Sequence, residues 1–155
     1  MTTEPVSALV RLEQWAPIAA LKSSTYAYPL LEVFHIIALA IVFGTIVIVD
    51  MRILGRLHKL DLNIIVKSIL PYTVGAFLIS VVTGLMMFTM RIADLIANPM
   101  FIAKICLLFC VGTNAAVLHA RGAINTASLI TRMQAMLSVL IWIAVIFCGR
   151  FIAYV

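Results

Sequence analysis

The chain has 155 residues, of which 65% are hydrophobic and only 11% are charged, and its formal net charge is +5. Because soluble domains carry about 25% charged residues, this composition excludes an ordinary soluble protein and indicates one compact bundle in a membrane. The excess of basic residues then reports topology and contact with anionic lipid, and we infer no nucleic-acid partner from it.

The N-terminal segment, about residues 4–22, predicts an amphipathic helix at the membrane surface. Its apolar residues recur near helical spacing with charged residues between them. Trp15 favours the headgroup layer, so we expect this helix to lie on the membrane. A soluble arm packed on a partner subunit is the alternative for this segment.

Four apolar segments predict membrane-spanning helices, at about residues 27–51, 64–89, 100–120 and 134–154. Each is near the ~20 residues that a helix needs to cross the hydrocarbon core. We therefore expect an all-α fold, an integral membrane four-helix bundle, in which residues 1–155 form a single transmembrane domain.

The connections between these segments differ in charge. The first and third are basic, whereas Arg91 in the second is offset by Asp94. Because short loops rich in Lys and Arg stay in the cytoplasm, we expect both chain termini on the outer side. The basic residues are Arg52, Arg56 and Lys59 in the first connection and Arg121 and Arg132 in the third.

Ionisable side chains from three spans are predicted to meet near the outer boundary. With a rise of 1.5 Å per residue, all of them should lie within ~6–12 Å of it. Ionisable residues inside spans commonly mark functional sites. The members are Glu32 and His35, which share a helix face, Lys104, and Arg150, whose face Tyr154 can join.

This outer cluster has the composition of a haem site, with His35 as the candidate axial ligand. Imidazole is a common ligand of haem iron, and Arg or Lys can neutralise the propionates. Depth argues against a bis-histidine site, because His119 lies ~16 Å further along the membrane normal. Lys104 is the nearest second ligand if its amine is deprotonated; Met87, Met90 or an open position are the alternatives.

A purely structural role is the alternative to a haem site for the outer cluster, and it is also considered for a second polar group. In the outer cluster, Lys104 and Arg150 would extend to the headgroups and Glu32 would pair with Arg150. A second polar group lies toward the cytoplasmic side, where interfacial anchoring and ion pairing are favoured and a second haem between His58 and His119 stays open. That inner group comprises Asp50, Arg52, His58, Asn114 and His119.

Four glycines within the spans are predicted to allow close approach of neighbouring helices. They are Gly44, Gly75, Gly84 and Gly112.

Several stretches of the chain resemble known membrane families: LLEVFHIIALAIVFGTIVIVDMRILG, VVTGL, ANPMFIAKICLLFCVGTNAAVLHAR and GRFIAYV. Together they resemble an uncharacterised bacterial inner-membrane family over almost the whole chain. More distantly they are similar to the copper-resistance D-type membrane domain and to the membrane protoporphyrinogen oxidase of bacterial haem synthesis. The last resemblance implies a b-type haem, with His35 and Lys104 in the haem or active site and His119 at the inner end of the same span.

The sequence thus favours a b-type haem protein at the outer side of the bacterial inner membrane, acting as an electron-transfer protein or as an oxidoreductase. In this interpretation Arg150 holds a propionate, and Glu32 orients His35 or relays a proton. Quinone or a redox partner protein is the expected electron partner, and the small-residue faces permit a homo-oligomer.

Two other functions remain open from the sequence. A copper-handling permease would use His35, methionines and Cys106 or Cys110 as soft ligands. A non-catalytic membrane anchor of a larger complex would use the outer cluster as a structural ion-pair network.

Overall fold

The computed structural model describes residues 15–121 and 124–155, which form six helices and contain no strand. Four of these helices are long and apolar enough to cross a membrane. The all-α, multi-pass membrane fold is therefore confirmed. The helices are α1 (Ala16–Ser23), α2 (Ala27–Ile53), α3 (Leu62–Met90), α4 (Ile92–Ala97), α5 (Pro99–Ala120) and α6 (Leu129–Phe151).

Two of the spanning helices begin before their predicted starts. The Asp61 carboxylate accepts hydrogen bonds from two backbone N–H groups in the first turn of α3, so α3 begins slightly before its predicted start. Ser128 is the N-cap residue of α6 without a capping bond from its side chain, and α6 begins at Leu129 rather than about residue 134. Pro71 lies inside α3.

The second connection contains a short helix that was not predicted. It is α4, and it is followed by Asn98, which is only 8% exposed. Asn98 Oδ1 accepts from two backbone N–H groups in the first turn of α5. Its Nδ2 donates to the carbonyl oxygens of Ile152 and Val155. One amide therefore caps α5 and also holds the C-terminal residues beside it.

Two helical hairpins make the bundle. α2 packs on α3, α5 packs on α6, and α2 also contacts α6. Two side-chain contacts fix the antiparallel register of α2 and α3: His35 with Thr83, and Thr45 with Thr73. Ten residues forward along α2 thus correspond to ten residues back along α3. We call the starts of α2 and α5 the His35 end, and the opposite end the His119 end.

Two apolar clusters fill the interior. The first takes residues from all four long helices, and the second lies nearer the His119 end. Many large apolar side chains are exposed on the outside of the bundle, which suits contact with lipid. The first cluster comprises Val42, Ala76, Val111, Trp142 and Val145, and the second comprises Ile53, Leu62, Leu118 and Ala135.

Only the last part of the predicted surface helix lies within the described residues. α1 covers Ala16–Ser23, whereas residues 4–14 of the predicted segment lie outside the described part of the chain. Trp15, directly before α1, is 63% exposed, and α1 buries no residue. Since α1 also contacts α2 and α3, it lies on the outside of the bundle. Its position at the membrane surface stays a prediction.

Candidate functional site

His35 is held against α3 by a hydrogen bond and by a glycine. Its Nδ1 lies 3.0 Å from Thr83 Oγ1, and the backbone of Ser80 also hydrogen-bonds the ring. A Cβ added at Gly84 would lie 3.1 Å from His35 Cε1 and 4.0 Å from Nε2. The imidazole therefore rests on bare backbone, and a larger residue at position 84 would have to move it.

The Thr83 hydroxyl lies between His35 Nδ1 and two carbonyl groups of its own helix. Thr83 Oγ1 is 2.8 Å from the carbonyl oxygen of Ile79 and 3.2 Å from that of Ser80, and it has one proton to donate. When that proton goes to a carbonyl oxygen, Oγ1 accepts from His35 and the ring proton lies on Nδ1. The neutral ring consequently keeps its lone pair on Nε2, the nitrogen available to a metal or a proton donor.

The side chain of Lys104, on α5, packs against Gly149 on α6. A Cβ added at Gly149 would lie 3.5 Å from Lys104 Nζ and 3.8 Å from Cε, so the side chain of α5 crosses over bare backbone. Lys104 interacts electrostatically with His35. The structure thus brings together His35 and Lys104. We call His35, Lys104, Thr83, Gly84 and Gly149 the His35–Lys104 site.

The His35–Lys104 site reaches the surface of the bundle. Both His35 and Lys104 are intermediate in exposure, and so are the two glycines beneath them. A ligand could therefore contact the two nitrogen-bearing side chains from outside the bundle, with α3 and α6 as a fixed wall behind them.

Arg150 and Tyr154 form the pair that their four-residue spacing predicts. Arg150 Nη2 donates to Tyr154 Oη at 2.7 Å, and the guanidinium lies 5.1 Å from the centre of the ring. Both side chains are exposed. Glu32 is exposed as well, and among the described residues it pairs with neither Arg150 nor another cation. The predicted ion pair between Glu32 and Arg150 is thus absent from the described part of the chain.

The other two histidines lie away from this site. His119 is fifteen residues after Lys104, about 22 Å along α5. It is exposed, and its Nδ1 lies 2.8 Å from the carbonyl oxygen of Ala115 in the preceding turn. His58 is exposed in the connection between α2 and α3. The structure therefore separates His119 from His35, in the direction that the depth argument predicts.

Of the four glycines predicted to allow close helix approach, one does so within the described part of the chain. Gly84 carries the close contact with His35, whereas an added Cβ at the other three would meet nothing within 4 Å. The three open glycines are Gly44, Gly75 and Gly112.

Residues 15–121 and 124–155 contain no group of three or more His, Cys, Asp or Glu that could hold a metal. A haem iron needs only one or two protein ligands.

The model of a protein family matches residues 18–155, which include all four spanning helices and the His35–Lys104 site. The chain therefore belongs to this family, a family of unknown function (DUF6644). No curated protein and no solved structure matches the chain.

Proposed function

We propose that this member of the DUF6644 family is a membrane-embedded b-type haem protein that acts in electron transfer or in a redox reaction, with His35 as the residue that would hold the haem iron. The observation that supports it most is the 3.0 Å contact between His35 Nδ1 and Thr83 Oγ1. With the ring proton on Nδ1, the lone pair of Nε2 is available to iron. Metal-binding histidines are usually held in this way, by a hydrogen bond at the nitrogen that does not bind the metal.

The side chains around His35 fit the polar requirements of a haem. Lys104 interacts electrostatically with His35, and its amine would serve as a second ligand or as the partner of a propionate. Arg150 and Tyr154 offer an exposed cation and a phenol at the same end of the bundle. A bound haem would supply one-electron redox chemistry whose potential depends on its ligands and on hydrogen bonds to them.

The chain's own residues would control that site in distinct ways. Thr83 keeps a proton on Nδ1 of His35, and Gly84 fixes the plane of the ring against α3. Gly149 lets Lys104 lie flat against α6. Glu32, one turn before His35 and without a cationic partner among the described residues, is placed to relay a proton between the site and the membrane surface.

We place this chemistry at the outer side of a bacterial inner membrane, with both termini outside. The basic first and third connections support that orientation. Quinone, which dissolves in the bilayer, or a redox partner protein would exchange electrons at the partly exposed His35–Lys104 site. A resemblance to the membrane protoporphyrinogen oxidase, suggested by the sequence motifs alone, would imply the same function, with His35 and Lys104 in the haem or active site.

The test is a reduced-minus-oxidised visible spectrum of the detergent-purified protein, produced in cells supplied with haem precursor. We expect a Soret band and a sharp alpha band, both lost in His35→Ala. His58→Ala and His119→Ala are matched controls, because they make the same change at exposed histidines outside the site. Both controls should keep the bands.

Several outcomes would contradict the proposal. A colourless wild-type protein would refute it. Bound copper without a porphyrin band would support the copper-handling alternative, and a colourless protein that co-purifies with a stable partner would support the anchor-subunit alternative. Bands that persist in His35→Ala and vanish in His119→Ala would assign the haem to the other end of the bundle.

A further inference from the structure

Asp50 is a buried carboxyl group without a cationic partner among the described residues. It lies in the last turns of α2 and is 4% exposed. Its side-chain partner is Ser138 on α6, and Oδ2 has no hydrogen-bond partner in the described part of the chain. The predicted ion pairing of Asp50 at the membrane surface is therefore wrong, because the side chain is directed into the bundle.

A second unpaired polar atom lies one turn away. Trp142 follows Ser138 by four residues on the same face of α6, about 6 Å along the axis. Trp142 is 4% exposed, and its indole Nε1–H, a donor, also lacks a partner among the described residues. A buried acceptor on α2 and a buried donor on α6 are thus both unpaired among the described residues.

The charged groups on the surrounding helices are engaged elsewhere or exposed. No cation interacts with Asp50 among the described residues, so proximity to a charge does not stabilise its ionised form. Arg52 on α2 donates to the Leu60 carbonyl, and Arg132 on α6 donates to the Thr126 carbonyl. At the end of α5, His119 bonds to the Ala115 carbonyl and Arg121 donates to Gln134. Lys67 on α3 and Lys22 on α1 are exposed.

Apolar side chains lie on both sides of Asp50 and Ser138 along the bundle. The first apolar cluster lies toward the His35 end, and the second lies toward the His119 end. Beyond the second cluster, an open cavity of about 190 Å³ lies between the end of α5 and the start of α6, with Leu118 and Thr131 in its wall. Leu118 belongs to both the second cluster and the cavity wall, so this cluster adjoins the cavity.

We propose that Asp50 is a proton-binding site: the carboxyl group holds an exchangeable proton beside Ser138, which is one turn from Trp142, and exchanges it with the His119 end past Leu118. An isolated ionised carboxylate is very costly in an apolar interior unless donors or a cation replace its water. Here one oxygen has a hydroxyl partner and the other has none among the described residues. Intramembrane carboxyl groups of this kind are typical of proton relays. This inference does not depend on a bound haem.

The first test is infrared spectroscopy of the protein in lipid vesicles at neutral pH. We expect the C=O band of a protonated carboxyl group, shifted when H₂O is replaced by D₂O because the proton exchanges. The band should be lost in Asp50→Asn and retained in Glu32→Gln and Asp61→Asn, which remove exposed carboxyl groups. Helix content by circular dichroism shows whether Asp50→Asn is folded.

The outcomes distinguish a proton site from a site for a metal cation. Absence of the band at neutral pH, or its persistence in folded Asp50→Asn, would refute the proposal. A band that appears only when sodium ions are replaced by a bulky organic cation would mean that the carboxylate binds a metal cation, and would refute it too.

A second measurement does not need a variant of Asp50. The chain has two tryptophans, so Trp15→Phe, a change at an exposed position, leaves Trp142 as the only indole. We expect the fluorescence of Trp142 to change with rising pH over the range in which the acid band disappears. Constant Trp142 emission across that range would contradict the placement of the proton beside Trp142.

Discussion

Replacing Gly84 by alanine tests whether His35 really rests on α3. The new Cβ would stand 3.1 Å from His35 Cε1, whereas carbon atoms in favourable contact are ~3.5–4.0 Å apart. The ring must therefore retreat by about 0.4 Å or more. That movement strains the 3.0 Å contact between His35 Nδ1 and Thr83 Oγ1.

Two opposing effects set the size of the change. Inserting a methyl group into a packed contact costs about 1–3 kcal/mol, while alanine is favoured over glycine inside a helix by about 0.5–1 kcal/mol. We expect a net destabilisation of up to ~2 kcal/mol for Gly84→Ala. Gly75→Ala, at which a Cβ meets nothing within 4 Å, should be neutral or stabilising by up to ~1 kcal/mol.

The free energy of unfolding of the two variants can be compared by denaturation in mixed detergent, followed by circular dichroism. Gly75→Ala is the matched control, since it makes the same change in the same helix. If Gly84→Ala were as stable as Gly75→Ala and left the visible spectrum unchanged, then the packing of His35 on Gly84 would be wrong.

Two further substitutions test the contacts that hold the site and the bundle. Thr83→Val removes the hydroxyl that contacts His35, so we expect the free energy of unfolding to fall by about 1 kcal/mol and the haem reduction potential to shift. Thr113→Val, at an exposed position, should change neither quantity. Equal effects of the two substitutions would contradict the role of Thr83. Asn98→Ala removes the cap of α5 and two bonds to the C-terminal residues, so it should cost ~2–3 kcal/mol, against ~1 kcal/mol for the cap alone in Asp61→Ala. Equal losses of unfolding free energy in these two variants would count against the double role of Asn98.

Hydropathy and helical rise were sufficient to predict the four spans and the common depth of His35 and Lys104. They could not predict how each helix is rotated about its axis, because the spans are apolar around most of their circumference. Thr83 and Gly149 were therefore missed as neighbours of His35 and Lys104, although the Thr-Gly pair of VVTGL and the glycine directly before Arg150 were the available signals.

The same limit accounts for the wrong prediction for Asp50. Its place near the end of a span, two residues from Arg52, is typical of an interfacial ion pair. Only the packing of α2 on α6 shows that the carboxyl group is buried against Ser138. The early start of α6 had a local signal, a serine at position 128, that the apolar pattern outweighed.

The amount of haem bound per chain, compared between wild-type protein and His35→Ala purified side by side, bears directly on the proposed haem site. We expect stoichiometric haem in the wild type and almost none in folded His35→Ala, because Nδ1 of His35 contacts Thr83 and Nε2 is left to bind iron. A wild-type protein without haem, or equal haem in both proteins, would refute the site.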